Sequence, residues 1–115
     1  MLLLTGATGY VGGRLLRRLE KEGLPVRCLC RDPETLRLRV APGTELVRGD
    51  LLQPESLDSP FSGVDTAFYL VHSMNSGARF EVDEAASAAN FALAASKGGV
   101  GRISYLGALA SGGHL

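Results

Sequence analysis

Three glycines, Gly6, Gly9 and Gly12, stand at three-residue intervals directly after the apolar run Leu2-Leu-Leu-Thr5. The chemistry such spacing serves is the holding of a pyrophosphate. An anion of that kind needs bare backbone N–H groups and the positive end of a helix dipole within hydrogen-bonding distance. In Thr5-Gly-Ala-Thr-Gly-Tyr-Val-Gly12, Gly6 permits the tight turn, Gly9 removes the Cβ that would collide with the pyrophosphate, and Gly12 lets a helix lie close against a sheet. A glycine-rich turn with no ligand is the simpler alternative. Against it stand the strand-like run before the loop and the stripe Val11, Leu15, Leu16 and Leu19 at helical spacing after it. A P-loop does not fit, because Gly13-Arg14-Leu15 stands where Gly-Lys-Ser/Thr is required.

The next positions with chemistry follow the second and third apolar runs. In Cys30-Arg31-Asp32-Pro33 the arginine comes where the sugar edge of a dinucleotide is read, and its planar fork suits a 2′-phosphate whereas an acidic side chain suits a free 2′-hydroxyl. Arg31 thus favours NADP(H) over NAD(H), unless it is simply a solvated arginine. Asp32 either contacts a ribose hydroxyl or caps the turn before Pro33. Asp50, in Arg48-Gly49-Asp50-Leu51, either accepts from an adenine amino group or bonds its own turn. Leu70, Val71 and His72 close the fourth apolar run, where ligands of open α/β sheets sit, and His72 either lines a cofactor or is only a turn residue.

These positions need a frame, and the hydrophobic pattern supplies one. Strands are expected near Leu2–Thr5, Val26–Cys30, Glu45–Val47, Thr66–Val71 and Arg102–Leu106. Helices are expected near Tyr10–Glu22, Ser56–Ser59 and Arg79–Lys97, with a turn at Pro33–Leu36. Alternating strands and helices imply a parallel sheet covered on both faces, an α/β doubly wound Rossmann-type fold of strand order 3-2-1-4-5. Gly23 and Gly98-Gly99 are expected to end the two long helices. In the last helix Val82, Ala85, Ala86, Ala89 and Leu93 form the stripe expected to pack on the sheet. Cys28 and Cys30 fall on one face of a strand, too poorly placed for a direct bridge and too few for a zinc site, so both read as buried structural residues.

At 115 residues with 12 basic and 12 acidic side chains, the chain is one domain without an electrostatic footprint for nucleic acid or an anionic membrane. No apolar run approaches the ~18–20 residues of a membrane span, and no basic region precedes the short apolar start, so the expected setting is cytoplasmic. A fold of this class ordinarily continues past its fifth strand. The expectation is therefore that residues 1–115 are the N-terminal, cofactor-binding part of a Rossmann domain, truncated near Leu115 and lacking a substrate lobe; a complete five-strand protein is the alternative.

The chain resembles the extended or atypical branch of the short-chain dehydrogenase/reductase superfamily, close to NmrA-like NAD(P)-binding proteins. The resemblance rests on Thr5-Gly-Ala-Thr-Gly-Tyr-Val-Gly12, Arg31-Asp-Pro33, Gly49-Asp-Leu51, Tyr69-Leu-Val-His-Ser-Met74, Asn90-Phe-Ala92 and Arg102-Ile-Ser-Tyr-Leu106. It implies that Thr5, Gly6, Ala7, Thr8, Gly9, Tyr10, Val11 and Gly12 cradle the pyrophosphate, that Arg31 meets the 2′-phosphate, and that Asp50 and Leu51 hold adenine. Active members use a serine after strand five and a tyrosine followed four residues later by a lysine; Gly107-Ala108 stands at the serine position, and no lysine follows Tyr105. No catalytic residue is assigned. The expected function is the NADP(H)-binding portion of an oxidoreductase, with NAD possible. The alternatives are a non-catalytic redox sensor or assembly factor and, lower, a nucleotide-sugar epimerase or dehydratase. The substrate stays open.

Overall fold

Short apolar runs separated by glycine-containing turns become five parallel strands. A computed structural model describes residues 1–7, 9–70 and 78–106, leaving aside the side chains of residues 78–82 and Leu106. Its strands are β1 (Leu2–Thr5), β2 (Val26–Cys30), β3 (Glu45–Arg48), β4 (Thr66–Leu70) and β5 (Arg102–Leu106), in one sheet of order β3-β2-β1-β4-β5. Leu2 pairs in register with Val26 and Thr66, and Tyr69 with Tyr105. The helices are α1 (Tyr10–Lys21), the single turn α2 (Asp58–Phe61) and α3 (Ala78–Gly98). This is the doubly wound order expected from the sequence. Among the described residues no helix is long and apolar enough to cross a membrane.

Alternation along the strands builds one core on each face. Leu4, Val26 and Cys28 turn toward α1, where they meet Leu16, Leu19 and the fully buried Leu36. Leu3, Leu29, Ala67 and Tyr69 turn the other way and meet Leu57, Phe61, Phe91, Ala94 and Ala95. Cys28 is buried, and Cys30 packs half-buried beside it on the same face, as the period of two requires. Burial, with smaller contributions from Cys30 and Glu20, pushes the Cys28 thiol up to about 12, so it behaves as a small apolar residue at neutral pH.

α1 ends where Glu22 and Gly23 N–H groups turn back to the Arg18 and Glu20 carbonyls, with Gly23 at φ +74°. Gly99 does the same after α3 at φ +75°. The helix expected at Ser56–Ser59 is divided. Pro54 opens a 3-10 turn through Ser56, whose hydroxyl donates to the Gln53 carbonyl at 2.7 Å and accepts from Asp50 N–H at 2.9 Å, and α2 starts only at Asp58. Val71, the expected end of β4, lies outside the described residues, as do Gly107 and Ala108.

Two expected stripes need correction. Val11 is more than half exposed; Leu15, Leu16 and Leu19 carry the packing. On α3, Ala85, Ala86, Ala89 and Leu93 are exposed, and Ala88, Phe91, Ala94 and Ala95 face the sheet; Val82 lies among the side chains not described. An alanine-rich helix is apolar on every side, so its largest side chain decides which face goes in. Phe91 meets the Phe61 ring edge-on at 5.2 Å and the Tyr69 ring at 4.8 Å.

Candidate functional site

A cleft of about 590 Å³ opens at the carboxyl ends of the strands. It lies where connections leave the sheet in opposite directions, between β1 and β4, which is where open α/β sheets bind ligands. Its walls combine Thr5, Gly6 and Ala7 after β1, Leu29 to Asp32 at the end of β2, Gly49 to Leu52 after β3, Tyr69 and Leu70 at the end of β4, and Glu84 and Ser87 of α3. Thr35 and Arg39 complete it.

The glycine loop is built by contacts inside the chain. Gly6 adopts φ +80°, which side chains disfavour, and its carbonyl accepts from Gly9 N–H at 3.1 Å. A Cβ on Gly12 would stand 1.9 Å from that same carbonyl oxygen and 3.0 Å from Leu70 Cδ1, so the close approach is of helix to loop as much as of helix to sheet. Gly9 is different: its extended backbone, φ −82° and ψ 173°, suits any residue. The chain's own backbone conformation therefore gives no reason for glycine there.

Gly9 precedes α1 without a side-chain cap, and no acidic residue stands in the first turn. Helix geometry leaves the N–H groups of that turn unbonded within the helix. Tyr10 and Val11 turn their side chains outward, and Tyr10 accepts from Arg14 Nη1 at 2.8 Å, so these positions offer backbone to the loop. The result is a positive, uncapped helix end beside a glycine turn, which fits a pyrophosphate.

Other expected site residues divide. Arg31 lines the cleft and is exposed. Asp32 Oδ1 accepts from Glu34 N–H at 3.1 Å and caps the 3-10 turn Pro33–Thr35, the second of its two expected roles. Asp50 Oδ1 accepts from Leu52 N–H at 2.9 Å, so its carboxylate shapes its own turn while still lining the cleft. The Thr5 hydroxyl donates to the Phe68 carbonyl at 2.9 Å, tying β1 to β4. Leu51 and Leu70 are on the walls; Thr8, Val71 and His72 lie outside the described residues. Asn90 Nδ2 donates to the Leu51 carbonyl at 2.6 Å and holds α3 against the loop after β3.

Sequence reasoning missed Arg39 and Glu84. Arg39 sits in the segment between β2 and β3, which Leu36 anchors in the core and Glu20 anchors from α1: Glu20 Oε2 accepts from Ala41 N–H at 2.8 Å and from Thr44 Oγ1 at 2.6 Å. Losing two bonds to one carboxylate is worth about 1–3 kcal/mol. Glu20→Ala is expected to destabilise the fold by that order and to speed hydrogen exchange at the Ala41 amide. Unchanged exchange there would show that the loop is held by Leu36 alone.

Comparison with known proteins agrees with this geometry. Residues 6–114 match the family model described as NAD(P)H-binding. The chain is 37% identical over 68 residues to the NAD(P)H azoreductase of Xenophilus azovorans, covering 59% of this chain and 24% of that protein. It is 40% identical over 63 residues to a photosystem II assembly factor of Cyanophora paradoxa, covering 55% of this chain and 20% of that one. The structure of Citrobacter sp. triphenylmethane reductase complexed with NADP(H) superposes with a TM-score of 0.74 at 29% identity, over 90% of this chain and 36% of that one. The chain thus spans about a quarter of the length of the azoreductase and about a third of that of the triphenylmethane reductase.

Proposed function

Because this chain belongs to the NAD(P)H-binding family, among the NmrA-like relatives of the extended short-chain dehydrogenase/reductases, we propose that it binds NADP(H) in preference to NAD(H) as the cofactor-holding part of an oxidoreductase. The observation that carries the preference is the placement of two arginines, Arg31 and Arg39, on the wall of the cleft that starts at the glycine loop. Two guanidinium groups there suit the extra dianionic phosphate that distinguishes the two cofactors.

On this reading the backbone of residues 5–12 cradles the pyrophosphate, with Gly9 leaving room and the first turn of α1 donating. Arg31 and Arg39 grip the 2′-phosphate. Asp50 and Leu51 hold the adenine edge, and Leu70, Val71 and His72 line the crossing toward the nicotinamide side. When bound, the cofactor supplies the hydride. The chain's residues bind and orient.

Calorimetric titration with NADPH and with NADH tests the preference. The expected result is NADPH binding about tenfold tighter or more, the worth of one charge-assisted bond. Equal affinities would contradict it.

A second reading, a non-catalytic dinucleotide-binding assembly factor, is favoured by Gly107-Ala108 at the position of the superfamily's serine and by the likeness to the photosystem II assembly factor. Both readings share the cofactor site. They part on whether reduced cofactor, once bound, is oxidised by an azo acceptor of the kind named for the azoreductase relative.

A further inference from the structure

We propose that Glu84 reads the exocyclic amine of the adenine ring, as a second carboxylate of that pocket beside Asp50, with Tyr69 as its positioning residue. The inference rests on the dinucleotide reading above. Glu84 and Ser87 line the cleft from α3, in the same cavity as Asp50, Leu51 and Leu52. One turn further along, Asn90 ties the helix to the Leu51 carbonyl, so α3 cannot drift from the loop that carries Asp50.

A half-buried carboxylate on an alanine-rich helix is costly unless bonded. Tyr69 supplies the bond, its hydroxyl donating to Glu84 Oε2 at 2.5 Å. Tyr69 is itself buried and held between the Phe91 ring at 4.8 Å and the Tyr105 ring at 5.3 Å. Burial first, then the bond to Glu84, pushes the phenol well above its ordinary range, so it remains a donor. A carboxylate offers about four acceptor sites, and Tyr69 fills one. What remains belongs to a side chain on the cleft wall that Tyr69 holds in place.

Two carboxylate acceptors lining one pocket select a donor. The adenine amine is a two-proton donor, whereas hypoxanthine places a carbonyl oxygen at the same position, where two carboxylates would repel it. Asp50 already spends one oxygen on Leu52 N–H, which leaves Glu84 a share of the discrimination.

The test is calorimetric titration with NADPH and with its hypoxanthine analogue, which carries the same phosphates, riboses and nicotinamide. The unmodified chain is expected to favour NADPH by about tenfold or more. Glu84→Gln keeps an acceptor for Tyr69 and adds an amide that can donate to the hypoxanthine carbonyl, so the preference should fall to within about twofold. Tyr69→Phe should give an intermediate ratio, since Glu84 stays but is no longer held; a merely structural pair would weaken both ligands equally. Binding of NADPH with a ratio unchanged by Glu84→Gln would overturn the inference and leave the cofactor reading standing. Failure of the unmodified chain to bind NADPH would overturn both.

Discussion

Gly12→Val is expected to abolish NADPH binding and to destabilise the chain by about 3 kcal/mol, the upper end of ordinary overpacking costs. The neighbouring substitution Gly13→Ala should instead leave binding intact and stabilise α1 by about 0.5–1 kcal/mol, because alanine is the better helix former. The two glycines differ only in what surrounds them. A Cβ on Gly12 would meet a backbone oxygen at 1.9 Å, and backbone cannot move aside without reshaping the turn at Gly6. A Cβ on Gly13 would lie 3.5 Å from the Ala7 carbonyl oxygen and 3.6 Å from Arg17 Nη1, ordinary contact distances. Thermal unfolding and calorimetric titration of both variants measure the contrast. A Gly12→Val protein that kept its melting temperature and its affinity would show that α1 can stand off the loop, contrary to the packing described.

Removal of both arginines from the cleft wall is expected to weaken NADPH by about a hundredfold while leaving NADH nearly unchanged, and Arg31→Ala or Arg39→Ala alone by about tenfold. The single effects need not add, because both guanidinium groups would serve one phosphate. Raising the salt concentration should narrow the NADPH advantage, since both side chains are exposed and their attraction is screened. Arg37, two residues before Arg39, is the internal control: its guanidinium pairs with Glu34 at 2.8 Å and does not line the cleft. Arg37→Ala should leave the NADPH-to-NADH ratio unchanged. If it shifted the ratio as far as Arg39→Ala does, the segment would act only through its net charge.

The sheet was legible because its inner strands β1, β2 and β4 are short, largely apolar runs, and among the described residues every expected strand, the exposed outer strand β5 included, falls within about one residue of its place. The turn was legible for a related reason, since Gly6 is demanded by its positive φ and Gly12 by close approach to the Gly6 carbonyl, which residue type alone reports, whereas the backbone at Gly9 suits any residue. The face of α3 was not. Alanine on every side gives no stripe to choose by, and Phe91 settles the rotation only when Phe61 and Tyr69 stand beside it. That rotation also turns Glu84 toward the cleft, so the error about the stripe and the omission of Glu84 have one cause. Arg39 was missed because its segment lacks periodicity. Its position depends on Leu36 in the core and on Glu20, a helix residue whose partners Ala41 and Thr44 lie more than twenty positions away. Asp32 and Asp50 each had two readings that sequence could not separate, as a carboxylate two residues before a free N–H can serve its own turn or a ligand.

The central claim is that backbone N–H groups of the glycine loop and the first turn of α1 hold a dinucleotide pyrophosphate. Titration of nitrogen-15-labelled chain with NADPH, followed amide by amide in two-dimensional NMR spectra, tests it most directly. Saturable shifts should be largest at Gly6, Ala7, Gly9, Tyr10, Val11 and Gly12, with a second group at Arg31 and Arg39. Saturable shifts centred instead on the cavity lined by Pro33, Arg37, Val40 and Thr44, with the glycine loop unmoved, would contradict the account.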